Sequence, residues 1–266
     1  ALTTGVNNVA IGKNALSTED SGGYNVAIGA YALEDQNVDN AYNVAVGQEA
    51  GRNVTTGVEN VLIGGLAGDA LTTGHYNVAI GMRALSTEDG HGYCVAIGRD
   101  ALKNQNAGAN AYNVAMGYQA GLEVTTGIKN TIIGGLAGDA LTTGAYNIAI
   151  GYEALSSEDT LDGNIAIGYK ALAVQDGGSG NTAVGYQAGD AISTGDNNTL
   201  IGSAAGSDMT TGSNNIIIGR LATASAVDVS NEITLGNSSI SAFRCADTSI
   251  AALSDGRDKS DVKDSG

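Results

Sequence analysis

The sequence predicts an all-β fold, a parallel β-roll or β-solenoid made of stacked coils of about 17 residues. Three observations predict it. The pentapeptide Asn8-Val9-Ala10-Ile11-Gly12 returns, with small changes, fourteen times, ending at Asn231-Glu232-Ile233-Thr234-Leu235-Gly236. Of the thirteen intervals between its glycines, eleven are 17 residues, one is 18 and one is 19. Within the motif, Val9 and Ile11 fall on one face and Ala10 on the other, the period-2 signature of a strand. A unit of seventeen residues is too short for βαβ and suits one coil of a solenoid.

Each coil divides into parts. A strand of about five residues ends at Gly12, whose backbone freedom marks a corner. A second short apolar segment follows, as in Asn14-Ala15-Leu16 or Glu49-Ala50-Gly51, and then a polar connection such as Ser17-Thr18-Glu19-Asp20. One coil alone cannot offset its ordering entropy, so the coils must stack. Stacking aligns the motif asparagines into a ladder, each amide bonding the next. Fourteen coils at ~4.8 Å give a rod of roughly 67 Å. So thin a roll leaves apolar surface uncovered, which three chains side by side would bury.

A longer period overlies the short one. Gly12, Gly81, Gly151 and Gly219 lie four motifs apart, and Ile63–Gly74 recurs unchanged as Ile133–Gly144. The two lengthened intervals occupy matching places in the first two super-repeats. They carry Glu34, Asp35, Asn37, Asp39 and Asn40 in one, and Asn104, Gln105, Asn106 and Asn110 in the other. Insertions in solenoids become loops on one face, so these nine residues are the candidate binding surface. Residues 1–219 form the predicted shaft and 220–253, which lose the second apolar segment, a β segment closing the stack. Residues 254–266 are polar and charged. Leu2-Thr3-Thr4-Gly5 matches Leu71-Thr72-Thr73-Gly74, so the sequence is expected to begin inside a repeat.

Charge excludes some functions. A net charge of −16 argues against nucleic acid or anionic membrane as partner, since both are captured by Lys/Arg clusters. No apolar run approaches a membrane span. Cys94 and Cys245 are isolated thiols without a CxxC or His/Cys cluster, so no metal and no disulfide framework is expected. The Glu19-Asp20, Glu88-Asp89 and Glu158-Asp159 pairs sit in a repeated turn, whereas the two carboxyls of a glycosidase flank a substrate. The Thr-Thr-Gly turns point adjacent threonines to opposite faces and so form no flat Thr-x-Thr ladder. His75 and His91 have no partner pattern. Ten of the eleven tyrosines stand either just before the motif asparagine, as Tyr76 does, or just after the glycine, as Tyr152 does. That placement favours packing between rings or chains over sugar stacking.

The Asn-Val-Ala-Ile-Gly ladder resembles the head repeats of trimeric autotransporter adhesins, which are left-handed parallel β-rolls of shorter period. The stretch Asn231–Asn237, then Arg244-Cys245, then Leu253–Lys259 resembles phage tail fibres, those of cyanophages and other marine phages above all. There such a segment leads into a self-cleaving intramolecular chaperone. That resemblance covers about 35 residues and implies a homotrimer. It also implies a Ser–Lys self-cleavage dyad, matched here by Ser254 and Lys259, with the lysine as general base. Only the first residues of such a domain are present, so cleavage is expected of a longer precursor alone, and otherwise no enzyme activity and no cofactor. The expected role is structural and adhesive. The chain would be part of an extracellular, virion-borne tail fibre, joined to other tail or fibre proteins and meeting a host glycan or receptor. The alternative is the head of a bacterial surface adhesin, or a subunit of an extracellular filament, with the same fold and a different anchor.

Overall fold

The computed structural model describes residues 5–18, 21–157 and 160–242. Among them are fourteen strands and no helix, from β1 (Val9–Ile11) through β5 (Val78–Ile80) to β14 (Ile233–Leu235). Every strand pairs in parallel with its sequence neighbours, so one sheet runs in chain order from β1 to β14. The register has no offset: Val9 meets Val26, Ala10 meets Ala27 and Ile11 meets Ile28. The chain is a β-solenoid of the predicted period.

The strands are three residues long rather than five. The cause is the backbone on either side. Tyr76, two residues before β5, has φ 60°, and Gly81, just after it, has φ 133°. Both lie outside the extended region, so only the residues between them can pair. A Cβ on Gly81 would stand 2.4 Å from the Gly98 carbonyl oxygen one coil on, so the corner must be glycine. The second apolar segment is turned rather than extended, because Arg83 and Leu85 take φ 57° and 51°. It still binds coil to coil, with the Leu85 N–H donating to the Ala101 carbonyl at 3.0 Å.

Alternation in the strand places the central residue, most often alanine, inside. The central positions, Ala27, Ala45, Leu62 and Ala79 among them, are fully buried, while the flanking Val and Ile face outward. Ile28 is 36% exposed, Ile63 37% and Met116 39%. The interior is therefore narrow, and its filling accounts for the four-coil super-repeat. Where the strand centre is Ala27 or Ala79, the second segment supplies a buried Leu33 or Leu85. In the intervening pair of coils that segment supplies Gly51 and Gly68, and Val54 and Leu71 fill the space from three residues further on. A Cβ on Gly51 would come within 2.5 Å of Leu62 Cδ1, so glycine there answers the larger Leu62. The same exchange recurs with Gly121, Val124 and Ile132, and with Gly189, Ile192 and Leu200.

The strand column runs past residue 219. β14 keeps the register, pairing Ile233 with Ile216. Its inward atoms are polar, however. Glu232 replaces the ladder asparagine and Thr234 the central Ala, and Ser225 and Thr234 both donate hydroxyl bonds to the Glu232 carboxylate. β14 is the last strand among the described residues, and these bonds satisfy its carboxylate. No helix among the described residues is long and apolar enough to cross a membrane.

Candidate functional site

Beneath every surface feature lies the asparagine ladder. Asn60 Oδ1 accepts the Asn77 backbone N–H at 2.9 Å, and Asn60 Nδ2 donates to the Gly74 carbonyl at 2.9 Å. Asn130 does the same with Asn147 and Gly144, at 2.9 and 2.8 Å. The rungs are thus mainly amide to backbone rather than amide to amide. Each asparagine ties its own coil to a carbonyl fourteen residues on, at the next coil's turn.

The two insertions alter this rule at matching places. Asn25 precedes the 18-residue interval, and its buried Nδ2 has no partner. The 19-residue interval follows Cys94, which stands where the other coils carry asparagine. Its sulfur receives the Asn113 N–H, and its weak S–H donor turns to the Gly92 carbonyl of its own coil at 3.9 Å rather than to a carbonyl fourteen residues on. In the third super-repeat, without an insertion, Asn164 Nδ2 again reaches the Gly178 carbonyl at 3.2 Å. Burial pushes the Cys94 thiol up to about 12, so it stays protonated and unreactive.

Of the nine predicted loop residues, Asp35, Asn37, Asp39, Asn40, Asn106 and Asn110 are exposed. The two groups occupy equivalent positions four coils apart, roughly 19 Å along the rod. Ser21 Oγ donates to Asp39 at 3.2 Å, and Asn110 Oδ1 accepts from the Gly92 N–H at 3.3 Å. Glu34 is held by Arg52 Nε at 2.9 Å and Asn104 donates to Glu123 at 2.8 Å, so both serve coil-to-coil contacts. Gln105 does not belong to the loop surface. It is fully buried, accepting from Asn113 Nδ2 and donating to the Thr125 carbonyl at 3.1 Å. Gln36 does the same for Asn43 and Thr55. Ser254 and Lys259, the cleavage dyad implied by resemblance, lie outside the described residues.

Glu88 occupies the same inward position as these glutamines and is fully buried. Its carboxylate accepts the His91 N–H at 3.1 Å and the Ala107 N–H at 3.4 Å, and lies 3.2 Å from His91 Nδ1. With Asp89 the three side chains place ligand atoms within 4.8 Å of one another, a grouping that the isolated reading of His91 missed. The internal bonds of Glu88 already account for its burial. The other two Glu-Asp pairs lie outside the described residues.

The tyrosines form two columns flanking the outward Val/Ile face. In the column before the strands, Tyr24 and Tyr42 stack at 4.8 Å, and Tyr76, Tyr93 and Tyr112 follow at 5.0 Å steps. In the column after the glycines, Tyr152, Tyr169 and Tyr186 stack at 5.8 and 5.1 Å. These rings are 39–54% exposed.

Two acids are placed at a cost. Asp69 and Asp139 each bury an unpartnered Oδ1, and desolvation raises the pKa of both. A carboxyl whose folded pKa is raised opposes folding when charged. The fold therefore gains stability as pH falls through the raised value towards the unfolded value, and that gain is absent above it. The Asp69→Asn/Asp139→Asn double variant is expected to raise the urea midpoint at pH 7, by a few tenths of a kcal/mol per site after solvent screening. It should also flatten the dependence of that midpoint between pH 7 and about 4. An unchanged midpoint at pH 7 would refute the assignment.

No protein-family model, no curated protein and no solved structure matches this chain.

Proposed function

We propose that the chain is a structural and adhesive segment of a homotrimeric phage tail fibre, a stiff shaft that projects and presents its insertion loops to a host surface. The observation that carries this reading is the outward Val/Ile face. The flanking positions of the strands stay apolar from Val9-Ile11 to Ile233-Leu235, with Thr131, Thr182 and Thr199 the exceptions. At roughly 67 Å by 10 Å it covers on the order of 700 Å². Contiguous apolar patches of that size mark interaction sites, and about 800 Å² per partner is a standard interface. A second and third copy of the same rod fit it, since identical rods share length and pitch. The C-terminal resemblance implies three copies and a tail-fibre setting. The exposed Asp35, Asn37, Asp39, Asn40, Asn106 and Asn110 support a presenting role, being polar groups repeated on one side of the rod.

Light scattering should give a native mass three times the 26.5 kDa chain. Ile80→Asp/Ile150→Asp, which puts two carboxylates on the outward face, should return 26.5 kDa with the β-sheet circular dichroism intact. A wild-type chain that is monomeric and ignores every host surface offered would end this reading.

A further inference from the structure

The first tyrosine column has two gaps, four coils apart, at the coils of β4 (Val61–Ile63) and β8 (Thr131–Ile133). Glu59 stands in the first gap and Lys129 in the second, with nearly the same backbone, φ 57° and 58°. The second gap is filled from within. Lys129 Nζ lies 5.0 Å from the centre of the Tyr146 ring and 3.3 Å from its hydroxyl. The first is open: a slot of about 410 Å³ lined by Tyr42, Glu59 and Val61. Tyr42 turns one ring face to Tyr24, at 4.8 Å and 13°, and is 52% exposed. The Glu59 carboxylate has no partner among the described residues.

We infer that this slot is a binding site for one organic monocation, an alkylammonium group such as the end of a lysine side chain presented by another molecule. The spacing fits. Tyr42 and Tyr76 are two coils apart in the same column, about 10 Å, so a cation midway lies about 5 Å from each ring. That is within the roughly 6 Å over which a ring face attracts a cation. Glu59 supplies the opposite charge between them, and Val61 an apolar floor for the alkyl stem. The chain carries its own precedent, because Lys129 places such a group against Tyr146 in the matching gap. An anion is excluded by Glu59. A neutral sugar would leave the Glu59 charge uncompensated.

The test is saturation-transfer NMR on the full chain, with butylammonium as probe and 1-butanol as its neutral match. Butylammonium should bind weakly, with a dissociation constant on the order of 10–100 mM, as expected of exposed cation–π contacts and one exposed ion pair. Butanol should bind at least tenfold more weakly. Glu59→Gln should weaken butylammonium severalfold. Glu59→Lys should abolish binding by placing the chain's own ammonium in the slot, at a backbone position that Lys129 shows to accept lysine. Lys129→Glu should open the second gap and double the number of saturable sites. Equal signals from butanol, or binding that survives Glu59→Lys, would overturn the assignment. Val61 lies on the face that the fibre reading covers, so the Ile80→Asp/Ile150→Asp monomer is titrated beside the wild type. Its failure to bind overturns the slot whatever the wild-type mass. A wild-type monomer that binds refutes the fibre and leaves the slot standing.

Discussion

Gly81→Ala is expected to cost about 4 kcal/mol or more and to lower the melting temperature by roughly 10 °C. Two effects add. The residue holds φ 133°, a conformation open essentially to glycine alone, which by itself costs about 1–3 kcal/mol for any other residue. The new methyl would also lie 2.4 Å from the Gly98 carbonyl oxygen and 2.5 Å from its carbon, both backbone atoms of the next coil. Neither can withdraw without separating two strands. Gly65→Ala is the control. Its nearest atom is the Gln48 oxygen at 3.9 Å and its φ is ordinary, so it should stay within about 0.5 kcal/mol of wild type. Thermal unfolding followed by circular dichroism decides the matter, and similar melting temperatures for the two variants would contradict this account of the corner.

The second large effect concerns the ladder. Asn147→Ala should destabilise by about 2–4 kcal/mol, because a buried N–H and a part-buried turn carbonyl each lose a hydrogen bond. The Asn164 N–H now donates to Asn147 Oδ1 at 2.9 Å, and the Leu161 carbonyl accepts from Asn147 Nδ2 at 2.7 Å. Asn25→Ala should cost about half as much. It orphans only the Asn43 N–H, 3.0 Å from Asn25 Oδ1, since Asn25 Nδ2 has no partner to lose. Urea midpoints for the pair measure the difference. Equal losses would mean that the turn carbonyl contributes nothing, and the link between the insertions and Cys94 would fall with it.

The period, the coil count and the parallel stacking were legible because the strand motif hardly varies. Which strand face points inward was not. Val9-Ala10-Ile11 is apolar on both faces, so alternation separates two sides without saying which one is enclosed. The answer lies in the partner segment. Leu33 and Leu85 occupy it in the coils centred on Ala27 and Ala79, whereas Gly51 and Gly68 both stand against the larger Leu62, a size exchange that only facing residues make. Gln105 was misread for a similar reason, since a polar residue in a lengthened polar stretch looks solvated. Its spacing held the signal. Gln36, Gln105 and Gln175 each follow a core Leu by three residues, the place that Val54, Leu71 and Val124 hold after Gly51, Gly68 and Gly121. The tyrosine columns could be read from the sequence, but the open slot could not. It depends on Lys129 folding onto Tyr146 while Glu59 has nothing to fold onto.

The unbroken order from β1 to β14 has a mechanical meaning. Hydrogen bonds between coils run along the rod, so tension applied at its ends loads all thirteen strand junctions in series. Such a chain of junctions yields at its weakest link, and each coil that peels away releases its own 17 residues, roughly 50 Å of slack, before the next takes the load. Sideways force meets the opposite response. Bending must compress coils already in backbone contact at every glycine corner, as between Gly81 and Gly98. The rod is therefore stiff under flexure and extensible under pull, a tether that dissipates a sudden tug in small steps.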